Sequence, residues 1–317
     1  NELFEILKEK RERRGSIDFN FTDPEIILGH DGKPIDIVQE ERRVANRIIE
    51  EFMIVTNETV GSHFGFMEEP FIYRIHEDPS EMKVEELRKM IKKFGYSIKG
   101  QDIHPKDYES IINEVKGKPE EPLISMMLLR SMSKAEYSPD PQPHFGLASM
   151  FYTHFTSPIR RYPDLFIHRI LKNFLRNKKN TNNMNEYMKF LNDVSKHCSM
   201  TERRAEDAER EVVNMKMAEY MEDNIGKRFD GVISGLTKFG IFARLDNGVE
   251  GLVSFVNMTD DYYNFNEEAF IVVGETRNKI YNLGQKVRVQ VIDASSIKRQ
   301  IDFKFVNGDK NGKNTNE

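Results

Sequence analysis

The sequence predicts an α+β chain: a helix-rich segment over residues 1–225, then an all-β OB-type barrel over residues 226–306. Three observations lead there. In the first segment apolar residues recur at helical spacing, as in Val44, Ile48, Ile49, Phe52, Met53 and Val55. From Lys227 they alternate with polar residues in short runs: Val232-Ile233, Gly240-Ile241-Phe242, Gly251-Leu252-Val253, Val287–Val291 and Ile301–Phe305. Five strands within about 80 residues suit a small OB barrel. The length, 317 residues, allows about two domains.

The first helix ends near Gly15. Short strands follow at Ile17–Phe21, Ile26–Leu28 and Ile35–Val38, the last two joined by the turn signal Asp31-Gly32. These strands are expected to complete a sheet begun upstream, leaving an exposed edge. A long helix runs from about Glu40 to Ser62. Between residues 70 and 131 a short strand precedes three helices separated by Gly95, Pro105 and Gly117 with Pro119. Lys134–Tyr137 and the stretch around Phe145-Gly146-Leu147 are expected to pair as strands. Pro158 and Pro163 bracket a tight loop, and Pro163 suits the first turn of the helix behind it, where Phe166, Ile170 and Phe174 align. The polar stretch Asn177–Asn185 leads into a long charged helix ending near Asn224-Ile225-Gly226. The tail, residues 307–317, has almost nothing apolar and is expected to be disordered.

Hydrophobic residues make up 38% and charged residues 31%, which suits soluble globular domains. No apolar run approaches the roughly 18–20 residues of a membrane span, and the opening residues are no signal peptide. The single cysteine, Cys198, excludes an intramolecular disulfide and fits a reducing cytoplasm; no Cys/His cluster suggests structural zinc. The net charge of −5 neither supports nor excludes a nucleic-acid partner, because a basic channel can lie inside an acidic surface. The chain opens at Asn1 directly in an amphipathic pattern and reads as a piece of a larger protein.

The stretch His154-Phe155-Thr156-Ser157-Pro158-Ile159-Arg160-Arg161-Tyr162-Pro163-Asp164-Leu165-Phe166-Ile167-His168-Arg169 resembles the signature of the ribonuclease II/R (RNB) family. Ala45–Ile54 with Asn57, and Glu202–Ala205 with Ala208-Glu209-Arg210, resemble further stretches of that catalytic domain. Gly231-Val232-Ile233, Gly240-Ile241-Phe242 and Gly251-Leu252-Val253-Ser254 resemble an S1 domain, and the insert with Asp261-Tyr262-Tyr263 and Val273-Gly274-Glu275 is similar to that of ribonuclease R. The resemblance implies the C-terminal part of an RNB catalytic domain over 1–225 and an S1 RNA-binding domain over 226–306. It implies a 3′→5′ exoribonuclease releasing nucleoside 5′-monophosphates from single-stranded or 3′-overhang RNA with Mg²⁺ or Mn²⁺. The family's metal is held by a D-x(5)-D-x-D-D-like aspartate cluster, which this sequence lacks. The ligands are expected upstream of Asn1, and this piece alone is expected to be inactive. The expected partner is single-stranded RNA, with the ribosome or RNA-decay machinery as further candidates and a monomeric, cytoplasmic state. The alternative is a non-catalytic RNA-binding protein with a degenerate nuclease domain.

Candidate site residues follow, each beside its plainer reading. Arg160, on a proline-braced loop, suits bidentate phosphate contact in catalysis, and the resemblance gives its counterpart that role; the plainer reading is a surface charge. Arg161 and Tyr162 are candidate RNA contacts with the same alternative. His168 is a possible general base on chemistry alone, but a lone helical His is more often a packing residue. Arg43, Asn46, Arg47, Glu50 and Asn57 lie near one helical stripe. The resemblance favours Glu50 as a contact near the RNA 3′ end, with Glu51 as the fallback. Phe19 is a core strand residue on pattern and a base-stacking residue by resemblance. Glu209 is a helix flank or a border of the RNA path. Phe239 and Phe242 lie near the usual nucleic-acid face of an OB fold, with Lys238, Arg244 and Arg288 as phosphate contacts. Ser254 stands where the S1 pattern often has a His, which weakens one contact.

Overall fold

A computed structural model of the chain describes residues 1–19, 24–39, 43–100, 102–118, 120–176, 183–267 and 269–306. The chain divides into two compact units that do not follow chain order: residues 1–20 with 42–206, and residues 21–41 with 207–317. The expected tail, 307–317, and most of the polar stretch from Asn177 lie outside the described residues.

In the first unit, helix α1 (Glu2–Arg14) has Glu2 and Glu5 in its first turn and Arg11, Arg13 and Arg14 in its last, matching the helix dipole. It stops at Gly15, whose φ of 94° is left-handed and suits glycine. A Cβ there would also lie 2.3 Å from Lys106 Cγ, so the stop is fixed by space as well as by conformation. Of the expected strand Ile17–Phe21, residues 17–19 are not a strand and residues 20 and 21 lie outside the described residues: the Arg11 and Gly146 carbonyls take the Ser16 and Ile17 N–H groups that a ladder would need.

Helix α2 (Val44–Met67) buries Glu51, Ile54, Asn57, Gly61 and Phe64, one row at spacings of three and four. Two polar residues on the buried face of a helix require partners, which marks this face as more than packing. Strand β3 (Tyr73–Ile75) pairs antiparallel with β4 (Glu136–Ser138). The expected pairing of Lys134–Tyr137 with Phe145–Leu147 does not form. Phe145–Leu147 is a 3₁₀ turn, closed by Ala148 at φ 49° and by the Gly146 N–H donating to His76 Nδ1 at 3.1 Å. Helices α3 (Glu81–Lys92), α4 (Pro105–Val115) and α5 (Glu121–Ser131) bury Leu87, Ile91, Ile111, Ile124 and Leu128.

Helix α6 (Tyr162–Leu175) has Pro163 in its first turn, as its fixed φ and missing N–H favour. It joins a core of Phe64, Phe71, Tyr73, Phe166, Ile167, Leu191 and Cys198, in which the Phe64 and Phe71 rings stack at 4.3 Å. Leu191 and Cys198 come from α7 (Met184–Glu222), a continuous helix of 39 residues whose later turns supply Met217, Ala218 and Met221 to the second unit's core. Cys198 is the small core residue its context suggested.

The second unit is built on a closed barrel of five strands: β5 (Arg228–Thr237), β6 (Gly240–Leu245), β7 (Glu250–Ser254), β11 (Lys286–Ser295) and β12 (Gln300–Phe305). Around the barrel they run β11-β12-β7-β6-β5, with β12 and β7 parallel and the other described pairs antiparallel. This is the predicted OB barrel. Its inward residues include Ile233, Ile241, Ala243, Val253, Val289, Val291 and Phe303, alternating as a one-face-buried strand requires. The insert between β7 and β11 forms its own sheet of β8 (Tyr263–Asn266), β9 (Ile271–Gly274) and β10 (Ile280–Asn282).

Strands β1 (Pro24–Leu28) and β2 (Pro34–Gln39) form the predicted hairpin, with Ile26 opposite Ile37. Among the described residues it pairs with no third strand; the sheet it was expected to complete was placed upstream of Asn1, outside this chain. Its apolar face instead enters the barrel's core, where Ile37 is 3% exposed. No described helix is long and apolar enough to cross a membrane.

Candidate functional site

The loop between β4 and α6 that carries Arg160 is held from several elements. Asn57 on α2 accepts the Phe155 N–H at 3.0 Å through Oδ1 and donates to the Tyr152 hydroxyl at 3.0 Å. Gly61, one turn later, leaves room for the loop: a Cβ there would lie 3.2 Å from the Tyr152 carbonyl carbon. From α6, Asp164 Oδ1 accepts the Ser157 N–H at 2.7 Å and the Arg161 Nη2 at 2.8 Å. His168, one turn beyond Asp164 on the same face, bonds the Phe155 carbonyl through Nε2 at 2.9 Å. Its ring also stacks on Phe155 at 4.0 Å. With both roles engaged, His168 is a brace, as its plainer reading had it.

A second layer lies behind the loop. The Tyr137 hydroxyl bonds His154 Nδ1 at 2.8 Å, and Arg74 lies over the Tyr137 ring at 4.6 Å while pairing with Glu202 at 2.5 Å. Burial pushes the His154 imidazole down to about 2, assisted by the positive charges of Arg161, Arg74, His144 and Arg160. Burial, with His76 and Arg74, likewise lowers His144 to about 3. Burial raises the Tyr137 hydroxyl well above the usual range. The imidazoles of His144 and His154 are therefore neutral members of this layer, beside three guanidiniums.

The three arginines differ in what they have left to offer. Arg74 is paired with Glu202 and Arg161 with the fully buried Asp164. Arg160 is exposed and, among the described residues, has no carboxylate partner. Next to it Ile159 is fully exposed and the Tyr162 ring is 49% exposed.

A second buried cluster fixes the segment bearing Phe19. Arg11 on α1, 7% exposed, reaches Glu51 at 2.8 Å, the Ser16 hydroxyl at 3.0 Å and Asp18 at 3.6 Å. Burial alone would lower the Arg11 guanidinium, but its hydrogen bond and charge pairing with Glu51 outweigh that and raise it. Glu51 is therefore a structural partner, which removes it as the fallback RNA contact. Glu50 and Phe19, beside these clamped residues, are both half-buried.

In the second unit Phe239 is 60% exposed and meets the half-buried Phe242 edge-on at 6.4 Å. Gly235 makes room for the latter: a Cβ there would lie 3.3 Å from Phe242 Cβ. The cross-strand row Gly235–Phe242–Leu252–Asp302 therefore lies on the barrel's outer face. Two of the basic residues around it are paired, Lys238 with Glu267 at 2.7 Å and Arg288 with Asp230 at 3.1 Å, and Arg244 stands opposite Glu250 in the strand register. Glu209 is exposed on α7. The predicted residues thus fall into two groups. Phe19, Glu50, Arg160, Arg161 and Tyr162 belong to the first unit, and Glu209, Phe239, Phe242 and Arg288 to the second.

Sequence reading missed Asp164, Tyr137, His154 and Arg74 as site-builders and took Asn57 only as a member of a polar stripe. The spacing of Asp164 and His168, one helical turn apart behind a proline, was the available signal. His154 opens the run that carries the family resemblance, and no comparable signal marked Tyr137 or Arg74.

Comparison with known proteins adds the family. The RNB domain matches residues 1–177 and the S1 RNA binding domain matches residues 222–305. The chain is 41% identical over 307 residues to ribonuclease R 1 of Lactococcus lactis, covering 96% of this chain and 38% of that protein. It is 42% identical over 306 residues to ribonuclease R of Aquifex aeolicus, covering 96% and 43%. Among solved structures it matches the apo form of Mycoplasma genitalium RNase R with a TM-score of 0.90 at 30% identity, covering 96% of this chain and 48% of that one. The same RNase R has been solved with ribose-methylated single-stranded RNA, at the same TM-score and coverage. This chain spans less than half the length of those relatives. On the matched domain, the shared fold and the ribonuclease R relatives, the chain belongs to the RNB family of ribonucleases.

Proposed function

We propose that the intact protein is a 3′→5′ exoribonuclease, removing nucleotides one at a time from the 3′ end of single-stranded or 3′-overhang RNA. Its products are nucleoside 5′-monophosphates. The observation that carries this reading is Arg160: an exposed, uncommitted guanidinium on a loop whose backbone is fixed by Asn57, Asp164 and His168. A fixed fork of N–H donors suits two phosphate oxygens and the charge that builds on them in the transition state. Phe19, on the segment clamped by Arg11, is assigned to stacking against bases at the RNA 3′ end, with Glu50 as a polar contact beside it. Phe239 and Phe242 are assigned to the incoming strand, where stacking tolerates any sequence. The M. genitalium complex with single-stranded RNA supports RNA as the ligand.

Hydrolysis is assigned to a divalent metal, Mg²⁺ or Mn²⁺. The described residues do not fit one: no group of three or more His, Cys, Asp or Glu could hold the ion. The reading assigns the ligands to residues other than those described, and no step of it runs through the metal here. The 317-residue chain alone should bind RNA without cleaving it. A cytoplasmic monomer working beside the ribosome or RNA-decay machinery completes the proposal.

The test incubates the full-length gene product and this chain with 3′-overhang RNA, in Mg²⁺ and separately in EDTA. A metal-dependent ladder from the 3′ end, produced by the full-length protein only, is the expected result. Binding by both with cleavage by neither sinks the exonuclease reading and leaves an RNA-binding protein.

A further inference from the structure

Arg47 is a cation without a counterion. It stands on α2 four residues before Glu51, in line with the row that buries Glu51, Ile54 and Gly61, and is itself half-buried. Its Nε is shut off from solvent and has no hydrogen-bond partner. Arg14, Arg88 and Arg161 have an orphaned Nε as well, but each pairs through its Nη atoms, with Glu58, Glu85 and Asp164. Arg47 makes no such pair among the described residues. The carboxylate one turn away, Glu51, is taken by Arg11. Burying part of a guanidinium without an acceptor costs free energy that nothing on this helix returns.

The residue one turn earlier adds to the imbalance. Arg43, the N-cap of α2, is exposed and has no carboxylate partner among the described residues, and its carbonyl accepts the Arg47 N–H at 3.2 Å. Like charges four residues apart repel, and the first turn of α2 holds no acidic residue to offset them. Two guanidiniums held where repulsion and burial both count against them call for an anion within their reach. The same helix carries Asn57, which holds the Arg160 loop, ten residues on and so about 15 Å along the axis. At about 3.4 Å per nucleotide in a stacked strand, that interval is roughly four phosphates.

We propose that Arg47, supported by Arg43, binds a backbone phosphate of the RNA strand, several nucleotides from the phosphate that meets Arg160. A guanidinium fork matches two phosphate oxygens, and such a contact adds affinity without reading sequence. The inference rests on the reading of the first unit as an RNA site, and its test needs no hydrolysis.

Titration of the full-length protein with a single-stranded oligoadenylate, in EDTA and at several salt concentrations, tests it. Each phosphate contact to a single strand contributes about 0.7 to the slope of log affinity against log salt. Arg47→Ala should flatten that slope by about 0.7 and weaken binding roughly tenfold or more at low salt. Its urea midpoint should stay or rise, because no partner is lost. Arg47→Lys should keep the slope, since a point charge still displaces counterions, while losing part of the affinity. Arg130→Ala, which removes an exposed arginine on α5, should bind as the wild type does. If Arg47→Ala does not fold, Arg43→Ala carries the test and should flatten the slope in the same direction. A wild-type slope in Arg47→Ala overturns the proposal, and a urea midpoint that falls while the slope stays identifies a carboxylate elsewhere in the protein as the partner. Equal flattening by Arg130→Ala reduces the effect to net charge and overturns it too. A protein that never cleaves RNA but shows the flattened slope keeps the contact and loses only the exonuclease reading. An active enzyme whose slope is the same with and without Arg47 loses only the contact.

Discussion

Asp164 is the residue on which the loop's geometry most depends, and replacing it should loosen Arg160 without touching it. Its carboxylate is fully buried, and one oxygen accepts from both the Ser157 N–H at 2.7 Å and Arg161 at 2.8 Å. Hydrogen bonds to a charged group are worth about 1.5–3 kcal/mol each. Removing one partner of a buried pair costs about 3–5 kcal/mol. Arg161 keeps some solvent, its side chain being 18% exposed, so the low end applies. Asp164→Ala should therefore destabilise by about 3 kcal/mol. Asp164→Asn keeps an acceptor for Ser157 and loses mainly the charge, which should cost about 1.5–2 kcal/mol. Urea unfolding at constant m-value orders the three proteins. If the full-length protein cleaves RNA as proposed, Asp164→Ala in it should lower kcat more than it raises KM, and it should add nothing to Arg160→Ala, since both act through one guanidinium. An alanine variant within about 1 kcal/mol of wild type refutes the reasoning. So does an asparagine variant as damaged as the alanine one, or additive effects on kcat in the double variant.

Other outcomes follow from the same geometry. Arg160→Ala in the full-length protein should lower kcat by roughly 100-fold or more with RNA binding largely kept, and Arg160→Lys should recover little because a point charge cannot replace a fork; single-turnover cleavage measures both. Phe239→Ala should weaken single-stranded RNA binding by about 1–3 kcal/mol with little change in salt dependence, since it removes stacking and no phosphate contact; titrations at two salt concentrations check this. Acid should destabilise the first unit through His144 and His154, held down to about 3 and about 2. Both lie below the unfolded value, so the unfolded chain takes up protons first: stability is complete above about pH 6.5 and falls as pH drops toward the folded values. Full linkage would remove about 4 kcal/mol by pH 5, and partial solvent access to both rings brings this to roughly 2 kcal/mol. A flat urea midpoint between pH 7 and 5 contradicts it.

The elements were largely legible because their signals are local. Gly15 after three basic residues, the period of α2 and the alternation from Lys227 each lie within a few turns or strands of sequence. Failures came where a long-range partner overrode the local pattern. Phe145–Leu147 has strand-compatible residues, but His76, some seventy positions away, takes the Gly146 N–H and bends the chain. Ile17–Phe19 looks like a strand until the Arg11 cluster claims its neighbours. The hairpin itself was read correctly, but not its seat, because its bonds to Lys216 and Asp246 span 184 and 207 positions.

The candidate site divides the same way. Arg160 was singled out because the run His154–Arg169 is contiguous, and contiguity is what a motif records. What makes Arg160 useful is not contiguous. Asn57, 98 positions upstream, supplies the acceptor for Phe155. Arg74, paired with Glu202 128 positions on, packs over the ring of Tyr137, whose hydroxyl bonds His154. Asn57 and Tyr137 are buried, and a buried polar group demands a partner, so their identities are constrained. Arg160 and Arg161 are neighbours of identical chemistry, and only one is uncommitted. The difference lies in Asp164, which takes Arg161 and leaves Arg160 without a carboxylate partner among the described residues. An exchange of their roles would require the carboxylate to release the Ser157 N–H as well, and the loop would lose the brace that fixes Arg160 in place.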